Sequence, residues 1–298
     1  MYSNLNYQVN SKENVYFYIR LFASLGLYYL FVKLILASFE ASAEQMATVY
    51  VVYFYLIVIL LFMFFRFGIL IGHLKGNAVK LSKNQFPDIY QVAVTQTEQL
   101  GLRSVPAIYI MQSGGVLNAF AARFLGRNYV VLYSEIVETA YEQDKTILEF
   151  IIGHELGHIK RQHMLKNLLL MPSYLIPFLG AAYSRACEYT CDNIGYALSP
   201  AGVKGGLLLL ASGKTIYKKV NLKEYLKQDV TEDGFWKWFA EKVSTHPNLT
   251  KRLAVFAKAK PSVPGNTYYR PAIAEEPVAE PAPEEKKEED HSRYMPHY

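Results

Sequence analysis

Cysteine is nearly absent from this 298-residue chain, and the only two, Cys187 and Cys191, stand one helical turn apart. That count excludes a disulfide scaffold, and a four-residue spacing is neither a zinc ribbon nor a redox motif, so the pair reads as structural in a reducing compartment. A phosphate loop is also missing. Gly213-Lys214-Thr215 imitates its end, but the required first glycine falls at Leu208, so no nucleotide site is expected. Charge is scarce at 19% and locally vanishes, with none between Ala47 and Phe65. A hydrocarbon core about 30 Å thick needs about 20 apolar residues at a rise of about 1.5 Å, and residues 15–39 and 47–72 both meet that length.

A two-helix membrane hairpin over residues 1–72 is therefore expected. Arg20 and Lys33 interrupt the first span and are assigned to its two ends, where long side chains can snorkel to the interface. Basic residues flank the pair on one side: Lys12 and Arg20 before it, Arg66, Lys75, Lys80 and Lys83 after it. The connection carries only Glu40 and Glu44. The excess of basic residues then assigns both termini and the following domain to the cytoplasmic face of the cell membrane. A cleaved signal peptide does not fit, since the apolar stretch is long and no basic leader with a small-residue cleavage site is evident.

Beyond the hairpin, residues 73–260 suffice for one core. The pattern predicts a helix-rich α+β domain with a small antiparallel sheet: helices near 87–100, 135–163, 184–198, 200–212 and 249–259, and strands near 107–111, 117–123 and 129–133. The stretch 168–183 is apolar, yet Pro172, Pro177 and Gly180 point to a bent segment that dips into the interface or packs on the domain. Residues 261–298 hold seven of the thirteen prolines and a run of glutamates, a composition that cannot bury a core and so predicts a disordered tail. The net charge of +5 understates how basic the body is, and the adjoining spans make lipid headgroups, not nucleic acid, its expected anionic partner. The 24 tyrosines and 17 phenylalanines cluster in or beside the apolar segments, so no base-stacking surface is inferred.

One segment carries chemistry. His154, Glu155 and His158 lie in a stretch whose apolar stripe of Ile147, Leu148, Ile151, Ile152, Leu156 and Ile159 has helical spacing. Two imidazoles four residues apart face the same way and can grip one zinc ion, with Glu155 beside it as general base. Zinc lowers the pKa of bound water from about 15.7 to about 7, which suits peptide-bond hydrolysis. A buried helix with two satisfied histidines is the alternative. A third ligand is needed. His163 lies about 140° round an ideal helix from His158 and is rejected. Arg161 and Met164 occupy the positions where a metzincin has Gly and His. Glu188 remains, with Asp192 one turn later on the same face to orient a ligand imidazole.

These residues resemble the membrane zinc peptidases grouped around HtpX, the CAAX prenyl endopeptidase and Oma, over residues about 70–258. Asn118-Ala119-Phe120-Ala121 is similar to that family's edge-strand motif, and His246-Pro247 with Arg252 resembles its late His/Arg pair. The resemblance implies His154, His158 and Glu188 as ligands of one zinc ion per chain, and Asp192 as their supporting carboxylate. It also implies Glu155, His246 and Arg252 as catalytic groups, the last two stabilising an oxyanion. Asn118, Ala119 and Phe120 would hold an extended substrate by strand addition. HtpX relatives carry a longer, membrane-spanning insertion near 168–183, so this chain departs from that branch. The expected activity is endopeptidase action on membrane or membrane-proximal polypeptides for quality control. Dedicated processing of one peptide or prenylated precursor is the alternative, and a non-catalytic zinc-containing scaffold a further one.

Overall fold

The computed structural model describes residues 5–40, 42–112, 114 and 118–257. The chain opens with α1 (Ser11–Ser38) and α2 (Ala43–Asn77), about 42 and 52 Å long at the helical rise. Asn10 and Ser42 cap their N-termini. Both are long and apolar enough to cross a membrane. The helix of α2 outlasts the expected span, because its last turns cover the sheet. Ile71 and Leu74 pack there with Tyr109, Ala122, Tyr129 and Val131.

The sheet comprises β1 (Val79–Lys80), β2 (Ala107–Met111), β3 (Ala119–Phe124) and β4 (Arg127–Tyr133), with α3 (Pro87–Gln99) between the first two. Its order is β1-β2-β4-β3. The expected antiparallel sheet proves mixed: β2 and β4 run parallel, Ala107 opposite Tyr129, while β1–β2 and β3–β4 are antiparallel. The physical reason is burial. Val130, Val131 and Leu132 are fully buried and need cover on both faces, so β4 takes the centre, and the half-exposed β3 is left at the edge. Leu125 and Gly126, both at positive φ, turn the hairpin tightly enough for this.

Eight further helices follow: α4 (Ser134–Glu142), α5 (Lys145–Lys160), α6 (His163–Leu169), α7 (Leu179–Leu198), α8 (Gly202–Ser212), α9 (Leu222–Thr231), α10 (Phe235–Val243) and α11 (Leu249–Ala257). The helical stretch expected over 135–163 holds two helices, α4 and α5, and α6 begins at its last residue. Asp144 caps α5 through the Thr146 amide, and Gln162, at φ 55°, reverses the chain before α6. The start of the strand expected at 117, the last residues of the 249–259 helix, and the Pro/Glu-rich stretch 261–298 lie outside the described residues.

The second face of the sheet, through Ile108, Ile110, Val130 and Leu132, packs on α5 within the main core. Helix α7 crosses the back of α5 at close range, and small residues make that possible. A Cβ on Gly157 would lie 3.3 Å from the Cys191 Cα, and one on Gly195 only 2.8 Å from the Phe150 carbonyl oxygen. The segment 168–183 is bent, with a 3-10 turn at Met171–Leu175 before α7. It climbs along α1 and encloses Arg20. Contrary to the snorkelling expectation, Arg20 is fully buried, donating to Ser173 Oγ at 2.8 Å, Asn167 Oδ1 at 2.6 Å and the Leu170 carbonyl at 3.1 Å between the Tyr174 and Tyr183 rings. Local acceptors replace water for a planar guanidinium better than a long reach to the interface would.

Candidate metal centre

The close approach of α5 and α7 sets two imidazoles against one carboxylate. His154 Nε2 and His158 Nε2 are 3.3 Å apart. Glu188 Oε2 lies 3.4 Å from His154 Nε2, and Glu188 Oε1 3.4 Å from His158 Nε2. Ligand atoms held at about 2.0–2.1 Å from one tetrahedral ion stand about 3.3–3.4 Å from each other, which the imidazole pair matches, while the carboxylate turns one oxygen toward each imidazole at a similar distance, a donor set that suits zinc. Glu188 Oε2 is buried without a hydrogen-bond partner, a lone pair left for a cation. Burial opposes ionisation of Glu188, but the facing His154 and His158 imidazoles and the charge of Arg252 hold its carboxyl well below the usual range.

Cys191 also brings its sulfur within 4.8 Å of both imidazoles. Burial, reinforced by neighbouring carboxylates, keeps that thiol protonated, and it does not line the cleft. Glu188 is the better third ligand.

Each imidazole is backed by a different network. His154 Nδ1 meets Asp192 Oδ1 at 3.0 Å, and Arg252 donates to the same carboxylate through Nε at 2.8 Å and Nη2 at 2.6 Å. Arg252 is buried there and approaches Glu188 only at 3.4 Å, so it stands behind the ligands and not in the cleft, where an oxyanion donor would sit. On the other side, His163 Nδ1 lies 3.1 Å from His158 Nδ1, and His163 Nε2 lies 3.2 Å from Glu13 Oε1. Arg161 donates to Glu13 Oε1 at 2.9 and 3.0 Å. His163 is thus no competitor for the metal face, but the reason is the chain reversal at Gln162 and not a position round a continuous helix.

The cleft holds about 250 Å³ and is lined by His154, His158 and Glu188, by Glu155, by edge residues Ala119, Phe120 and Ala121, and by Thr245 with His246. His246 is exposed, its Nε2 3.5 Å from Glu188 Oε1 and its Nδ1 3.0 Å from Thr245 Oγ1. Asn118 falls just outside the lining. Its side-chain oxygen accepts from the Ala119 amide and its carbonyl from the Tyr133 amide, so it fixes the start of the edge strand. Glu13, His163, Arg20 and Arg185 were not singled out as site residues in the sequence. Only His163, placed next to the histidine pair, carried a signal.

A family model described as Peptidase family M48 matches residues 83–179 and 171–260. The Arabidopsis thaliana plastoglobule-localized metallopeptidase 48 is 28% identical over 172 residues, 51% of this chain and 48% of that protein. The Dictyostelium discoideum CAAX prenyl protease 1 homolog is 39% identical over 67 residues, 22% of this chain and 15% of that one. The chain thus spans about half the length, or less, of these curated relatives. The crystal structure of S. mikatae Ste24p overlays 81% of this chain and 66% of its own at 15% identity, with a TM-score of 0.44.

Proposed function

Because this chain belongs to peptidase family M48, we propose that it is a membrane-held zinc endopeptidase that cuts exposed or unfolded segments of membrane and membrane-proximal polypeptides. The observation that carries the reading is the triangle of His154, His158 and Glu188 with Glu155 in the same cleft. Zinc held there would supply Lewis acidity toward water and the scissile carbonyl. Glu155 takes the proton from the attacking water and returns it to the leaving amine. The exposed β3 edge offers main-chain hydrogen bonds to an extended substrate, so Ala119 to Ala121 bind and orient it. His246 is the donor positioned for the developing oxyanion, while Asp192 and Arg252 orient His154.

The domain division and orientation expected from the sequence complete the proposal: residues 1–72 anchor, 73–260 catalyse and face the cytoplasm, and 261–298 extend beyond them. The stretch of 39% identity to a CAAX prenyl protease homolog supports, as a second reading, processing of one dedicated precursor.

The full chain in zinc-containing nanodiscs is expected to cleave casein and loop segments of a membrane-protein panel. Glu155→Gln should lower the rate by about 10²- to 10⁴-fold while zinc content stays unchanged. Undiminished cleavage by that variant removes the assignment of Glu155, and strict preference for one short peptide favours the precursor reading.

A further inference from the structure

Helix α10 presents an aromatic face that the described residues leave uncovered. Phe235, Trp236 and Trp238 are exposed, Trp236 at 76%, and their rings form one cluster with Phe239. The cluster continues through a Phe178–Phe239 contact, with ring centroids 6.3 Å apart, into the bent segment before α7. That segment exposes Leu168, Leu169, Leu175 and Ile176. It also lies against the membrane-crossing helix, since Tyr28 on α1 donates to the Leu169 carbonyl and Arg20 is enclosed by residues 167–174. One apolar surface therefore runs from the lipid-facing side of α1, across the bend, to α10.

From this continuity we infer that α10 and the 168–178 bend lie in the membrane interface and bind a phospholipid leaflet. The chemistry suits that occupant: tryptophans and phenylalanines on one side of a short helix, with Lys242 over the Trp238 ring, place flat amphipathic rings at headgroup depth beside a cation. Arg185 on α7 pins the far end of α10, donating to the carbonyls of Glu241, Lys242 and Ser244 at 2.7–2.8 Å. Those are the orphan carbonyls of the helix C-terminus. The residues that flank both elements, Asn167 before the bend and Thr245 and His246 after α10, line the cleft, so a leaflet bound by these elements lies next to it. This rests on the membrane reading of α1 and α2 but not on the peptidase activity.

Trp236 and Trp238 are the only tryptophans in the chain, so intrinsic fluorescence reports α10 alone. The full-length Glu155→Gln protein is placed in phosphatidylcholine–phosphatidylglycerol nanodiscs with and without bromine on the acyl chains. Tryptophan emission should fall in the brominated discs and resist iodide added to the water. Strong iodide quenching with no bromine effect overturns the inference, as does shielding from both, which would mean that protein covers the face. A second chain, Trp236→Phe and Trp238→Phe with Phe62→Trp, reports α2 in the same discs. Bromine quenching at residue 62 without quenching at α10 defeats this inference alone, and quenching at neither defeats the membrane reading as well.

Discussion

At the scale of single residues, the centre is organised by what stands behind each ligand. Burial pushes His154 toward neutrality, yet its hydrogen bonds to Asp192 and Glu188 prevail and hold its proton up to about 10 when no metal competes. An unfolded histidine titrates near 6.5, so the folded metal-free chain binds the extra proton between those values, and this contribution to stability is lost as pH rises through about 10. His163 acts in the opposite direction. Burial lowers it to about 4 despite the hydrogen bond it donates to Glu13, so the folded chain binds fewer protons between about 4 and 6.5, and stability rises with pH there. Denaturant unfolding of metal-free protein should therefore show these two groups producing a maximum near pH 6.5 and a decline toward 10. Zinc displaces the His154 proton, so the zinc-loaded protein should lack the alkaline decline; an unchanged decline would mean that His154 is not a ligand. Spacing made His154, Glu155 and His158 legible in the sequence and paired Glu188 with Asp192, because a helix fixes which residues share a face within two turns, whereas the meeting of Glu188 with the histidines was reached by elimination and the family resemblance. Glu13 was not legible, since its contact with His163 joins positions 150 residues apart and nothing local encodes it.

At the scale of elements, the meeting of α5 and α7 depends on glycines where the helices cross. Gly195→Ala adds a methyl 2.8 Å from the Phe150 carbonyl oxygen, against backbone that cannot step aside. Overpacking of this kind costs about 1–3 kcal/mol, which outweighs a gain of about 1 kcal/mol from helix propensity. The variant should unfold at lower denaturant and bind zinc more weakly, because displacing α7 spreads Glu188 from the imidazoles. Wild-type stability and zinc affinity would show that the approach has slack. Periodicity located α3, β2, α8 and the two apolar helices well, while the breaks within 135–163 are set by single residues: a cap at Asp144 starts α5 after α4, and a positive φ at Gln162 ends it before α6. Strand order escaped it too. Alternation reports which face is buried, not which neighbour covers an edge, so the parallel β2–β4 pair appeared only in three dimensions. Helices α9 and α10 were missed because each is only 9 or 10 residues long, too short for a helical period to stand out.

At the scale of the molecule, the membrane helices are part of the centre and not a detachable tether. Glu13 near the start of α1 backs His158 through His163, Arg20 organises the 167–174 segment, and the end of α2 roofs the sheet. With basic residues flanking both helices, impermeant thiol labelling in intact cells should modify Phe39→Cys in the α1–α2 connection and leave Lys83→Cys unlabelled until the membrane is opened. The reverse pattern would invert the proposed orientation while leaving the chemistry intact.

The claim on which the rest depends is that His154, His158 and Glu188 share one zinc ion and Cys191 does not. Zinc K-edge absorption of the full-length protein in nanodiscs tests it most directly. The account predicts one zinc per chain with nitrogen and oxygen neighbours only, at about 2.0–2.2 Å; a sulfur neighbour at about 2.3 Å, or no stoichiometric zinc, would contradict it.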